Sequence, residues 1–154
     1  MKLSILVATM PSRIWQLSRL IEDLGVNGLY SNFAHRDGVV TRWAELARGV
    51  EVVAYSTPPY DKINEDLSCG GKRNALMEVA TGDYVAFHDD DDTPHHEYID
   101  RILKAIETNP DVVGFKVACY GYANGCKSPE IMEPADISIK YNGWANDQNG
   151  FKYV

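Results

Sequence analysis

Four consecutive aspartates, Asp89-Asp90-Asp91-Asp92, follow the apolar run Tyr84-Val85-Ala86-Phe87 and one histidine, His88. Carboxylates this close repel one another and raise each other's pKa unless something offsets the charge. Tight groups of hard oxygen ligands are what Mg2+, Mn2+ or Ca2+ prefer, and Mg2+ is usually held by one or two carboxylates together with substrate phosphates. The residue types point to a divalent cation shared with an anionic ligand. The competing reading is a solvated acidic turn, with Asp92 or Thr93 capping the next helix, since helix N-termini favour acidic residues.

Upstream lies Gly70-Gly71-Lys72-Arg73-Asn74. Paired glycines let a backbone approach a ligand closely, and a helix N-terminus offers N–H groups to an anion. Lys72 and Arg73 add charge suited to phosphate or to a carboxylate partner. Alone this is a common surface helix start. It gains weight because one helix and one strand separate it from the aspartates.

The elements that must position these groups are legible in part. Leu3 to Ala8 is apolar without alternation, as in a strand buried on both faces of a parallel sheet. Pro11 and Ser12 break it, with Ser12 a potential cap. Ile14, Leu17, Leu20, Ile21 and Leu24 then share a helical face that Gly25 closes. Residues 26–49 read poorly. Asn27-Gly28 and Asp37-Gly38 mark turns, and Trp43, Leu46 and Ala47 suit a short helix. Val50 to Tyr55 is a strand, Lys72 to Ala80 a helix, and Tyr84 to Phe87 a strand. Thr93-Pro94 opens a helix whose apolar face is Tyr98, Ile99, Ile102, Leu103 and Ile106, with Asn109-Pro110 ending it. Val112 to Ala118 reads as a further strand. Alternating strands and helices predict an α/β fold with a mostly parallel sheet, where ligands sit beyond the carboxyl ends of the strands.

The whole chain, 154 residues with 45% hydrophobic and 24% charged, suits a globular domain. A formal net charge of −7 argues against a general nucleic-acid binder, which needs many cations to displace counterions. The cysteines at 69, 119 and 126 are odd in number and show no paired spacing, so free thiols are expected. The first apolar run is too short to span a membrane and has no cleavage site after it. No other stretch is long and apolar, so the expected location is the cytoplasm.

Two stretches resemble a known family. Ser4-Ile5-Leu6-Val7-Ala8-Thr9-Met10-Pro11-Ser12-Arg13 is similar to the opening of the family 2 glycosyltransferases, which have the GT-A fold. Gly71-Lys72-Arg73-Asn74-Ala75-Leu76, followed by Ala80-Thr81-Gly82-Asp83-Tyr84 and the strand into Asp89–Asp92, resembles that family's second landmark, which ends in its Asp-x-Asp motif. The resemblance covers roughly residues 1–24 and 70–118. It implies a Rossmann-like GT-A nucleotide-sugar-binding region over 1–118. Residues 119–154 would begin an acceptor side or extend the same domain.

The resemblance further implies a nucleotide-diphosphate sugar donor (a UDP-sugar by prior), Mn2+ or Mg2+, an acceptor hydroxyl and inversion at the sugar carbon. Thr9, Pro11, Arg13, Lys72, Arg73, Asp89 and Asp90 would contact the donor, and Asp89, Asp91 and Asp92 the metal. Two departures stand out. The second strand, Val52 to Ser56, lacks the family's terminal acidic residue, and Asp61 comes only later. The family's catalytic base lies well beyond the Asp-x-Asp motif, while this chain stops soon after Asp147 and so reads as truncated or compact. Asp136 and Asp147 are weak candidates for the base, as are Glu130 and Glu133.

Other residues fit less specific roles. His88, His95 and His96 flank the aspartates and suggest zinc, although neighbouring histidines are expected to point apart, with His95 and His96 on the next helix's first turn. Trp144 and the tyrosines at 120, 122 and 141 could stack on a sugar but suit packing better. Asp89-x-Asp91-x-Thr93 also resembles haloacid-dehalogenase-type phosphatases, with Asp89 as nucleophile and Asp91 as acid/base, though that family carries the motif on its first strand. A non-catalytic nucleotide-sugar-binding module is the third reading.

Overall fold

The computed structural model describes residues 2–57 and 68–114, together with two short strands at 120–121 and 130–131. The order is β1 (Leu3–Thr9), a 3-10 turn (Pro11–Arg13), α1 (Ile14–Leu24), β2 (Leu29–His35), β3 (Gly38–Glu45), β4 (Val50–Ser56), α2 (Cys69–Val79), β5 (Tyr84–Phe87) and α3 (Tyr98–Ile106). The two short strands, β6 (Tyr120–Gly121) and β7 (Glu130–Ile131), pair with each other.

The main sheet has five strands in the order β2-β3-β4-β1-β5. β1 lies at its heart, parallel to β4 on one side and β5 on the other. Its burial on both faces explains why apolar residues run through it without alternation, interrupted only by the hydrogen-bonded Ser4 before Thr9 closes the strand. Leu3, Ile5 and Val7 pack with α1 and α3 on one face. Leu6 packs with Ala75 and Leu76 of α2 on the other. Leu17, Leu20 and Leu24 form the buried stripe of α1, and Gly25 ends that helix in the left-handed region at φ 63°. Ile14, at the helix start, is 61% exposed and does not belong to the stripe.

The sheet is mixed rather than mostly parallel. Residues 29–45 form a β-hairpin, not a short helix, and it adds two antiparallel strands beyond β4. The expected short helix at 43–47 fails because Trp43 and Ala44 pair with Tyr30 and Leu29 across the hairpin. The hairpin turns at Arg36-Asp37, with Arg36 at φ 48°.

Two helix starts also differ. Ser12 makes no side-chain cap bond, and the chain enters α1 through the 3-10 turn. α3 begins at Tyr98, five residues after Thr93, so neither Asp92 nor Thr93 caps it. Val112 makes only an isolated bridge, and the rest of the strand expected to Ala118 lies outside the described residues beyond Gly114. Among the described residues no helix is long and apolar enough to cross a membrane. Cys69 is an exposed free thiol, as expected; the other two cysteines lie outside the described residues.

A buried polar network fixes the far side of the sheet. The Glu51 carboxylate on β4 is 1% exposed. It accepts hydrogen bonds from the Ser4 hydroxyl at 2.6 Å, the Thr81 N–H at 2.7 Å and the Thr81 hydroxyl at 2.9 Å. Arg42 Nε stands 3.0 Å from its other oxygen, a charge contact rather than an aligned hydrogen bond. Arg42 also donates to the Val79 carbonyl at the end of α2. One carboxylate thus ties β1, β3, β4 and the α2–β5 connection together, and its charge is tolerable in the interior because every contact opposes it.

Candidate functional site

β1 and β5 run side by side in the same direction, with Leu6 opposite Phe87, so they deliver Thr9 and the aspartates to one end of the sheet. The His88 N–H continues the ladder onto the Leu6 carbonyl at 3.0 Å, although β5 itself ends at Phe87. The chain then turns sharply, the Asp92 N–H donating to the Asp89 carbonyl at 3.2 Å. This turn sorts the four identical side chains. Asp90 points inward and is 1% exposed, while Asp89, Asp91 and Asp92 face solvent.

Asp90 is held from β1 and from the turn after it. The Thr9 hydroxyl donates to Oδ2 at 2.7 Å. Arg13 Nη2 lies 2.9 Å from Asp90 Oδ1 and 2.6 Å from Asp91 Oδ2, so one guanidinium nitrogen bridges two neighbouring carboxylates. That contact offsets the repulsion that made the aspartate run costly. Arg13 is aimed by the 3-10 turn and by its own bond to Gln16 Oε1 at 2.9 Å. Arg19 adds a bond to the Asp91 carbonyl at 3.3 Å.

α2 supplies the remaining cations. Ser68 caps it, its hydroxyl accepting from the Gly71 N–H at 3.0 Å, so the two glycines lie inside the first turn rather than before the helix. The Lys72 side chain runs inward, and its ammonium donates to the Thr9 carbonyl at 3.1 Å. Burial pushes the Lys72 pKa below its ordinary 10.5; its electrostatic interactions with Cys69 and Asp90 oppose that shift and Arg13 reinforces it. Arg73 is exposed, sits 3.6 Å from Asp89 Oδ1 and lies over the Phe87 ring. Asp92 has no basic side chain within 4.0 Å among the described residues.

The sequence-selected residues Thr9, Arg13, Lys72, Arg73, Asp89, Asp90 and Asp91 therefore meet at one strand end. Pro11 begins the 3-10 turn beside them and is exposed. Asp136, Asp147, Glu133, Tyr122, Tyr141, Trp144 and Asp61 lie outside the described residues. Glu130 and Tyr120 fall on β7 and β6, of whose side chains nothing is described.

A group of three metal-ligating side chains with converging atoms occurs elsewhere. Among the described residues it is His95, His96 and Glu97, not the aspartates. Asp89, Asp91 and Asp92 carry exposed carboxylates, and Mg2+ is commonly held by one or two such groups with the rest of its shell from a ligand. His95 and His96 precede α3, and their rings stack with centroids 4.1 Å apart instead of pointing apart. His88 packs edge-on against Tyr98 at 5.6 Å, and burial raises the Tyr98 pKa to about 12. A depression of about 350 Å³ lined by Lys2, Asp83, Tyr84 and Asn109 lies at the opposite, amino ends of β1 and β5, away from these groups.

Sequence reasoning missed Arg19, Ser68 and the Glu51–Arg42 network. Ser68 was legible as a serine just before the helix glycines; the other contacts span distant segments and leave no local signal.

A family model described as glycosyl transferase family 2 matches residues 60–151, more than half of the chain. The match takes in α2, β5, the aspartates and α3, and does not reach β1. No curated protein and no solved structure matches the chain.

Proposed function

Because the chain belongs to glycosyl transferase family 2, we propose that it moves a sugar from a nucleotide-diphosphate sugar to an acceptor hydroxyl, with inversion, using Mn2+ or Mg2+ at the exposed aspartates. The observation that carries this reading is the convergence of β1's tip, the Arg13 turn, the start of α2 and the aspartate run at the carboxyl end of a parallel strand pair. Such strand ends are where ligands bind in α/β sheets.

The donor set fits the cation. Asp89 and Asp91 carry hard oxygens on the solvent side, and Asp92 lies next to them with no basic partner among the described residues. The bound ion would supply Lewis-acid neutralisation of the diphosphate. The chain's own residues do the rest. Thr9 and Arg13 hold Asp90 and thereby fix the turn that presents Asp89 and Asp91. Arg73, exposed and only loosely paired at 3.6 Å, can turn from Asp89 to a phosphate oxygen. Arg13 steadies Asp91, and Lys72 stiffens the end of β1 through the Thr9 carbonyl. A UDP-sugar is the first donor to test, and a hexose the first sugar. The base that deprotonates the acceptor is to be sought first at Asp147 and Asp136.

A thermal-shift panel of nucleotide-diphosphate sugars, each with Mn2+, Mg2+ or chelator, tests the reading. At a hundredfold excess over Kd the stabilisation is about 2.7 kcal/mol, which raises Tm by roughly 5–10 °C in a domain of this size. Asp91→Asn should abolish the metal-dependent part. No metal-dependent shift with any nucleotide would overturn the proposal. Slow hydrolysis of the donor separates an enzyme from a module that only binds, and release of phosphate from simple phosphoesters would favour the phosphatase reading instead.

A further inference from the structure

The stacked histidines just beyond the aspartates have no part in that scheme. His95, His96 and Glu97 are consecutive and lie in the irregular connection between the aspartate turn and α3. One ligand atom from each lies within 4.8 Å of the other two. His95 Nδ1 is 3.9 Å from Glu97 Oε2 and 3.3 Å from the Glu97 N–H. The imidazole centroids are 4.1 Å apart with the rings tilted by 37°. Adjacent side chains in a regular helix or strand diverge, so this convergence comes from the irregular backbone before Tyr98.

Two imidazoles and one carboxylate are a different donor set from the aspartates. Imidazole suits zinc and its borderline neighbours, whereas all-oxygen sets suit Mg2+, Mn2+ and Ca2+. Three protein ligands and an open position are also how Zn2+ is held where water keeps access. Among the described residues, both contacts from Arg101 and the contact from His95 fall on Glu97 Oε2, which leaves Oε1 open to an ion without displacing Arg101.

We propose that His95, His96 and Glu97 form a surface site for a zinc-type divalent ion, separate from and chemically unlike the cation site at the aspartates. The site needs no donor, acceptor or glycosyl transfer, so it stands or falls apart from the function proposed above.

Titrating Zn2+ into the full chain by calorimetry, in buffer saturated with Mg2+ to fill oxygen sites, tests it. The wild type should bind one Zn2+ here. His95→Gln with His96→Gln should weaken that binding at least tenfold or so, since even outer-shell partners of a metal contribute about 10–100-fold. Asp89→Asn with Asp91→Asn removes two nearby charges but no ligand of this site, so it should weaken Zn2+ binding by no more than about threefold. Both histidines are exposed, so the double variant should keep the wild-type unfolding midpoint. Absence of Zn2+ binding to the wild type overturns the proposal. So does binding that survives the histidine substitutions, or binding lost equally in the aspartate variant.

Discussion

Asp90→Asn separates the one carboxylate that holds the fold from its solvent-facing neighbours. Asp90 is 1% exposed, accepts from Thr9 at 2.7 Å and faces Arg13 at 2.9 Å. Asparagine keeps the shape and can still accept from Thr9, but it removes the charge opposite Arg13. Breaking one side of a buried ion pair costs about 3–5 kcal/mol. Arg13 is 30% exposed, so water takes over part of its solvation, and the expected loss is about 2–3 kcal/mol. At ~2–4 °C per kcal/mol this lowers Tm by roughly 5–10 °C. Asp92→Asn, exposed and without a basic neighbour within 4.0 Å among the described residues, should stay within about 0.5 kcal/mol.

A second readout comes from Lys72, whose pKa is held down mainly by burial while Asp90 pulls it up. Its lowered folded pKa means the unfolded chain binds more protons between that value and 10.5, so stability rises with pH through this window. Removing Asp90 lowers the Lys72 pKa further and widens the window. The deficit of the variant should therefore narrow as pH climbs toward 10.5. Urea unfolding at several pH values measures both effects. A loss below about 1 kcal/mol, the net worth of one ordinary hydrogen bond, would refute the structural role given to Asp90.

Tyr98→Phe should flatten the alkaline end of the stability profile. The folded phenol is pushed up to about 12 by burial against an ordinary 10, so the folded state alone keeps its proton between these values and stability falls as pH rises through them. The two-unit difference corresponds to roughly 2–3 kcal/mol, which chemical denaturation at pH 10 and 12 would show present in the wild type and absent in the variant. Gly82→Ala should destabilise by about 2–3 kcal/mol, because an added Cβ would lie 2.6 Å from the Ser4 backbone nitrogen and 2.8 Å from the Leu3 carbonyl carbon. Gly25→Ala, with nothing within 4 Å but φ at 63°, should cost only about 1 kcal/mol, so thermal melts should rank the two. Glu51→Gln should lose about 3 kcal/mol in the same measurement, because it leaves Arg42 without its charged partner beside a buried network.

Much of the parallel centre was readable from local pattern. A strand buried on both faces is dominated by apolar residues, and β1 and β5 are; the two buried hydroxyls of β1, Ser4 and Thr9, are each hydrogen-bonded. The stripe of α1 and the left-handed stop at Gly25 follow from helix geometry and from glycine's tolerance of φ at 63°. The hairpin was not readable. Every residue from Leu29 to Ala34 is exposed, so neither face of β2 is selected for apolar residues and no period-two signal arises. The start of α3 was misplaced because Pro94 suits a first helical turn, yet here it is buried in irregular chain.

Sequence alone determined the chemical materials of the site: a run of carboxylates after a buried strand, with cations at the start of the preceding helix. Residue type and spacing could not say which aspartate turns inward, because four identical side chains in a row carry no distinction among themselves. Tertiary structure made that choice. Thr9 reaches Asp90 across 81 residues of chain, and Arg13 bridges it to Asp91. Desolvation permits only the carboxylate with both partners to turn inward, and its three neighbours are left at the surface.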